Sequence, residues 1–272
     1  MAYIILFLFV FVLAVLLLAT LCCWGRYNDL GGLWKFFIHH WMKLQLVAFL
    51  LLMCVYMPCC VKAFLHTLYK YGVSWDHYLR DWIDEINDGS STYNEGFISQ
   101  MLPERFRAES IKPFILHNMG IFFIVHLVIL LVYILLKIWD CFMTTSQSFL
   151  FKLLVFMEFT FLIVGFLLVH MQIFVFSFIN FRKAHWDHQY FIICFIIAVF
   201  YIAVFALFWI FCFIKLIGPR EYFIGNNNGN KFYYFFAGFR DHKFARTYDL
   251  WYVLCHFLVG MAIGLLIYEC LA

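Results

Sequence analysis

Six long blocks of apolar residues constrain this chain more than any other feature. They cover about residues 3 to 24, 44 to 65, 114 to 139, 149 to 176, 190 to 216 and 250 to 269. A helix of about 20 apolar residues crosses the roughly 30 Å hydrocarbon core of a bilayer. Because a helix also satisfies its backbone hydrogen bonds internally, lipid tolerates it. The sequence therefore predicts an all-α, polytopic helical membrane protein with about six transmembrane helices.

The composition supports a membrane class and excludes nucleic-acid binding. Of the 272 residues, 66% are hydrophobic, 13% are charged and 37 are phenylalanine, which is more apolar than a soluble domain of this length. The formal net charge is only +3, and the basic residues are scattered instead of gathered on one face. We predict one transmembrane helical domain over residues 1–272, with membrane lipids as its first partners and no nucleic acid.

Two polar segments interrupt the apolar blocks. Residues 66–112 are predicted to form an extramembrane loop or cap, in which Trp75 to Ile86 has the spacing of an amphipathic helix. Residues 217–249 form a basic interfacial linker that ends in a collar of Arg240, Lys243, Arg246 and Tyr248. Such residues favour the headgroup region, and the segment from Leu33 to Lys43 has the same character of an interfacial helix. Pro58 lies inside the second block, where we expect it to kink the helix.

The distribution of basic residues predicts the orientation in the membrane. Cytoplasmic segments carry an excess of Lys and Arg, and more of these residues fall on the side that contains the 217–249 linker. We therefore expect the linker inside, with both termini and the 66–113 loop outside.

Ionisable side chains inside a span are costly and are functional candidates by default. Glu158 lies in the fourth block, and Gln172 and Asn180 fall near the same side of that helix at about 100° per residue. The candidate intramembrane polar residues are Glu158, Gln172, His126 and His170, to which His256 can be added. Two interpretations are open. Glu158 and a histidine from another span form an ion or proton path, or a protonated Glu158 is hydrogen-bonded across a helix interface.

No pattern of residues indicates catalysis, a metal site or a cofactor. His126 and His170 could in principle hold a haem between two helices, but no pair of histidines recurs at matched spacing. His117 and His126 point to opposite faces of one helix. The chain has no glycine-rich phosphate loop, nucleophile elbow or His-Glu-x-x-His sequence. We predict a protein that is not an enzyme and that binds no cofactor or metal.

Several short motifs between about residues 44 and 260 together resemble the membrane-spanning part of the TRP-like multi-pass proteins of ciliates. They are Leu44-Gln45, Trp75-Asp76, His117-Asn118-Met119-Gly120, Phe178-Ile179-Asn180-Phe181, Trp186, Pro219, Gly238-Phe239-Arg240 and Ala245-Arg246-Thr247-Tyr248. In that family the last two motifs belong to an intracellular linker, which agrees with the charge-based orientation.

The resemblance implies a channel-related module, but the chain departs from the family in ways that bear on function. It has no large Cys-rich ectodomain, and the 217–249 connection carries net positive charge where a cation filter needs carbonyls or an acidic ring. We therefore expect a module that does not conduct alone. The alternative is a non-catalytic hydrophobic accessory subunit of a larger membrane complex, such as a mitochondrial respiratory assembly. Either function predicts other membrane subunits as partners, at the cell surface or in the mitochondrial inner membrane.

Overall fold

The computed structural model describes residues 4, 7, 8, 11–15, 27–53, 57–70, 106, 111, 114–142, 153, 154, 157, 165–182, 189–217 and 247–266. Within these ranges the secondary structure is helical, and no described residue is in a strand. The all-α class is therefore confirmed. The helices are α1 Tyr27–Phe49, α2 Cys59–Leu68, α3 Ile115–Phe142, α4 Gly165–Arg182, α5 Gln189–Ile217 and α6 Tyr248–Met261, which continues into a π-helical turn at Ala262–Leu266.

Three helices are long and apolar enough to cross a membrane by length and composition. They are Asn118–Phe142 in α3, Gly165–Arg182 as α4 and Phe191–Ile214 in α5. Shorter apolar helices cover Phe36–Leu52, Cys59–Leu68 and Leu250–Leu265. The described residues of the first apolar block are helical as well. The number of six spans remains a prediction.

The second apolar block differs from the single kinked helix that the sequence predicts. Helix α1 ends at Phe49, a short 3-10 turn covers Leu50–Leu52, and Met53 is extended with ψ 144°. Pro58 caps the start of α2 with ψ 147°. Proline cannot donate a backbone hydrogen bond and keeps the residue before it out of the helical region. The helix is therefore interrupted here, and α2 starts as a separate helix.

The segment from Leu33 to Lys43, predicted as an interfacial helix, is part of α1. One of its faces packs on protein, because Phe37, Ile38, Trp41 and Met42 are buried. The opposite face keeps Phe36 exposed. The apolar face of an amphipathic helix can lie on a membrane surface or on a protein core. In α1 the buried face packs on the protein core.

Helix α4 is the centre of the bundle. In its 18-residue apolar window 78% of the residues are buried, compared with 11% in α3 and 22% in α5. It contacts α1, α3, α5 and α6. A helix that is apolar on all sides is surrounded either by protein or by lipid, and α4 is surrounded by neighbouring helices. The outer helices α3 and α5 leave large apolar side chains exposed.

Helices α4 and α6 run parallel with a constant register. His170 contacts His256, 86 residues later in the chain, and the same separation joins Phe174 to Gly260 and Phe178 to Gly264. A Cβ atom on Gly260 would lie 2.8 Å from the Phe174 Cβ, and one on Gly264 would lie 2.5 Å from the Phe178 Cβ. Small residues four apart let two helix backbones approach closely in an apolar medium.

Ring contacts and hydrogen bonds give the directions of the other helices. Helix α5 runs opposite to α4, and α3 runs in the same direction as α5, whereas α1 runs along α4. The direction of α5 against α4 follows from the ring pairs Phe166–Phe205 and Phe181–Phe195. The direction of α3 along α5 follows from Phe114–Phe191 and Phe123–Tyr201. The direction of α1 along α4 follows from Phe49–Phe176 and from the hydrogen bonds of Trp41 and Gln45 to Leu168. Consecutive helices from α3 to α6 therefore alternate in direction.

Candidate functional site

The structure brings two of the candidate intramembrane residues into one site. His170 of α4 and His256 of α6 form a buried pair, which we call the histidine pair. The His170 Nε2 and His256 Nδ1 atoms are 2.9 Å apart, and the rings lie almost parallel with centroids 5.0 Å apart. Their exposed fractions are 0% and 1%, so neither imidazole is solvated.

The hydrogen-bond partners fix the tautomers of both rings. His170 Nδ1 is 2.6 Å from the Leu167 carbonyl oxygen, which can only accept, so this nitrogen carries the proton. In a neutral ring His170 Nε2 is then an acceptor, and His256 Nδ1 must donate to it. His256 Nε2 is left as a second acceptor, and it has no hydrogen-bond partner among the described residues.

Aromatic rings connect the histidine pair to α1. The Tyr252 ring lies 4.5 Å from His256, and His39 of α1 lies 4.9 Å from Tyr252. Rings from three helices thus form a line from the half-buried His39 to the fully buried His170. Within the described residues this line ends at the Leu167 carbonyl, a group that cannot pass a proton onward.

Helix α1 is held against the same part of α4 by two side chains. Trp41 Nε1 donates to the Leu168 carbonyl at 2.9 Å, and Gln45 Nε2 donates to the same oxygen. Gln45 is buried. Helix α6 attaches through His256 to His170, two residues after Leu168, so α1 and α6 both attach near the start of α4.

Further polar side chains lie along α4. Gln172, Ser177 and Asn180 are all buried. The Ser177 hydroxyl and both amide atoms of Asn180 have no hydrogen-bond partner within the described part of the chain. The two described members of the predicted polar stripe, Gln172 and Asn180, thus face protein. Glu158, its third member, lies outside the described residues.

His126 occupies a different place from the histidine pair. Its ring lies 5.3 Å from Phe122 on α3 and 6.0 Å from Tyr201 on α5, and it is half-buried. His170 uses both ring nitrogens in hydrogen bonds, so a haem iron could bind it only after one of them breaks. Among the residues that the structure describes, no three His, Cys, Asp or Glu side chains could hold a metal ion.

The predicted collar is described only at its end. Tyr248 begins α6 and is 54% exposed, and its ring lies 6.3 Å from His39. Arg240, Lys243 and Arg246 lie outside the described residues. Tyr248 therefore occupies the end of the bundle where α1 and α6 meet.

Sequence reasoning named His170 and His256 separately but missed that they form a pair. The signal that could have suggested it is Gly260-x-x-x-Gly264, because two glycines four apart in an apolar run mark a close helix contact. His256 lies one turn before this motif on the same face.

Comparison with protein families, curated proteins and solved structures gives no match. The geometry of the chain therefore carries the functional argument.

Proposed function

We propose that this chain is a multi-pass integral membrane protein, a channel-related module of the TRP-like type that does not conduct ions alone and works within a larger membrane assembly. The observation that carries the proposal is the burial of α4 at the centre of the bundle. A pore needs a solvated path along a central axis, and here the central axis is a packed helix.

The side chains around α4 support a filled centre. Phe174 and Phe176 are among the largest fully buried side chains, and Phe174 contacts rings of both α5 and α6. The line of rings at the histidine pair ends at a backbone carbonyl. These contacts favour a module without a conduction path of its own.

The alternating directions of the helices support a multi-pass arrangement. Successive crossings of a bilayer reverse direction, as the described helices α3 to α6 do. Helices α3 and α5 expose long rows of Ile, Leu, Val and Phe, which lipid can solvate and water cannot.

Four of the motifs behind the TRP-like resemblance contain a buried polar residue. Gln45, Asn118, Asn180 and Thr247 belong to four of the motifs and are all buried. Buried polar side chains can join helices in membranes, as Gln45 joins α1 to the Leu168 carbonyl of α4. This agreement supports the proposal of a channel-related module.

The second candidate is a non-catalytic accessory subunit of a larger membrane complex. The specific observation in its favour is α3, whose apolar window is only 11% buried. A helix that contributes so little to its own bundle is suited to contact neighbouring subunits.

Two measurements test the proposal. Purified chain reconstituted in planar bilayers should give no cation current, with gramicidin as the positive control, whereas the particle isolated from native membranes in mild detergent should conduct cations. Currents from the chain alone would contradict the non-conducting proposal. A native particle that contains respiratory subunits and is silent to cations would replace the TRP-like function by the accessory-subunit function.

A further inference from the structure

Helix α1 has an exposed face opposite the face that packs on the core. The residues of this face follow one another at intervals of four, three and four positions, which places them on one side of a helix. They are Phe36, His40, Lys43 and Val47, and all of them are exposed. We call this set the α1 outer face. Apolar side chains stand at its two ends, and two polar side chains lie between them.

The α1 outer face lies at the end of the bundle where α6 begins. The His39 ring, next to His40 in the chain, lies 6.3 Å from Tyr248 and 4.9 Å from Tyr252 at the start of α6. Tyr248 and Trp251 are both exposed. Exposed Trp and Tyr side chains are typical of the boundary between lipid headgroups and hydrocarbon. We therefore place His40 at a membrane interface.

Lys43 lies about one helical turn deeper than His39, because α1 and α6 both run along α4. The difference in depth is about 6 Å at 1.5 Å per residue. Trp41 and Gln45, on either side of Lys43 in the chain, donate to one carbonyl of α4, so the position of its backbone is fixed. A lysine side chain can span this distance, with its methylene groups in the hydrocarbon and its ammonium at the interface. The Lys43 ammonium can thus reach the level of the lipid phosphates.

The tautomer of His40 decides what this side chain can bind. Its Nδ1 atom is 2.8 Å from the Phe36 carbonyl oxygen, which can only accept, so Nδ1 carries the proton. In the neutral ring Nε2 is then an acceptor. His40 and Lys43 are three apart on a helix and are therefore neighbours. Together they offer a cationic donor and a separate acceptor, which a phosphate that carries a hydroxyl-bearing headgroup would complement.

We propose that His40 and Lys43 bind the headgroup of an anionic phospholipid at the α1 outer face. The Lys43 ammonium donates to the lipid phosphate, His40 Nε2 accepts from a headgroup hydroxyl, and Val47 contacts the acyl chains. The opposite charges of ammonium and phosphate favour this occupant over a neutral lipid. The proposal rests on the proposed function as an integral membrane protein. It gives a ligand to the face of Leu33 to Lys43 that does not pack on protein.

Native mass spectrometry of the full chain in detergent micelles, titrated with phosphatidylglycerol, tests the proposal. Lys43→Gln should weaken the apparent affinity for the first bound lipid about fivefold, the factor that about 1 kcal/mol per lysine near a membrane surface gives. Lys43→Arg should retain the affinity. Lys62→Gln is the matched control, because it removes the same charge at an exposed position of α2. An unchanged affinity in Lys43→Gln, or an equal loss in Lys62→Gln, would overturn the proposal.

Two competing ligands identify what the site recognises. Phosphatidylmethanol has the same charge as phosphatidylglycerol but no headgroup hydroxyl, so it should bind the parent chain more weakly, and His40→Leu should remove this difference. Equal binding of the two lipids by the parent would refute the role of His40. Soluble glycerol 3-phosphate in excess should not displace the lipid, and displacement would show a site for phosphate ions instead of lipid.

Carbonate extraction separates failure of this proposal from failure of the proposed function. A chain that carbonate releases from membranes refutes the integral membrane role. A retained chain whose lipid affinity does not respond to Lys43→Gln refutes only the lipid site.

Discussion

The close contact of α6 with α4 predicts that an alanine at Gly264 will destabilise the bundle. Its Cβ would lie 2.5 Å from the Phe178 Cβ and 3.2 Å from the Ile179 nitrogen, whereas unstrained carbon atoms sit about 3.5–4.0 Å apart. Helix α6 would have to move back by about 1 Å. The obstacle on α4 is a Cβ and the backbone, neither of which can rotate away as the end of a side chain can.

The expected change in the free energy of unfolding follows from two opposing effects. Overpacking of this kind costs about 1–3 kcal/mol, and replacing glycine by alanine in a helix returns at most about 1 kcal/mol. We expect Gly264→Ala to be destabilising by about 1–2 kcal/mol. Gly260→Ala should cost less, because its nearest contact is 2.8 Å.

Unfolding by SDS in mixed micelles, followed by tryptophan fluorescence, measures these differences. Ala206→Val serves as the control, because it adds atoms to α5 at an exposed position and should change the midpoint little. Residues in contact usually couple, but we expect almost no coupling between Gly264→Ala and Phe178→Ala, because alanine keeps the obstructing Cβ. A Gly264→Ala protein as stable as the parent, or one less destabilised than Gly260→Ala, would refute the close-packing argument.

Three further predictions follow from the site and the topology. His170→Leu should destabilise by about 1–3 kcal/mol, since it leaves His256 buried without its partner, while His170→Leu combined with His256→Leu should be closer to the parent in the same SDS titration. Gln45→Leu should weaken the attachment of α1 to α4 by about 0.5–1.5 kcal/mol, seen as faster proteolysis in α1, and an unchanged rate would argue against this attachment. In sealed cells a membrane-impermeant maleimide should label Asp84→Cys and spare Lys243→Cys, in a background without reactive native cysteines, and the reverse pattern would invert the predicted orientation.

The helices of the outer layer could be predicted from the sequence almost to their ends. The block predicted at 190 to 216 is helix α5 at Gln189–Ile217, and the block predicted at 114 to 139 begins α3 at Ile115. Both blocks are mostly apolar over their whole length, so composition places them. The second block could not be predicted in the same way, because apolar composition continues across Pro58 while the helix does not.

The histidine pair lies beyond what periodicity can predict. A helix with one apolar face reveals its inward side, but α4 is buried on all sides, so its apolar residues mark no single inward face. Sequence can therefore mark His170 as an intramembrane polar residue without identifying its partner. The partner depends on the register between α4 and α6, which is a property of three-dimensional packing.

That register explains why the two histidines meet at all. His256, Gly260 and Gly264 follow one another at four-residue intervals on α6, opposite the same spacing from His170 to Phe178 on α4. The glycines bring the backbones together, and the imidazoles one turn earlier are then close enough to form a hydrogen bond. In these apolar surroundings the hydrogen bond is stronger than in water, yet the unpartnered His256 Nε2 costs about 1–3 kcal/mol. Two apolar side chains would stabilise this contact equally well, so an acceptor that has no partner among the described residues favours a functional role for the histidine pair.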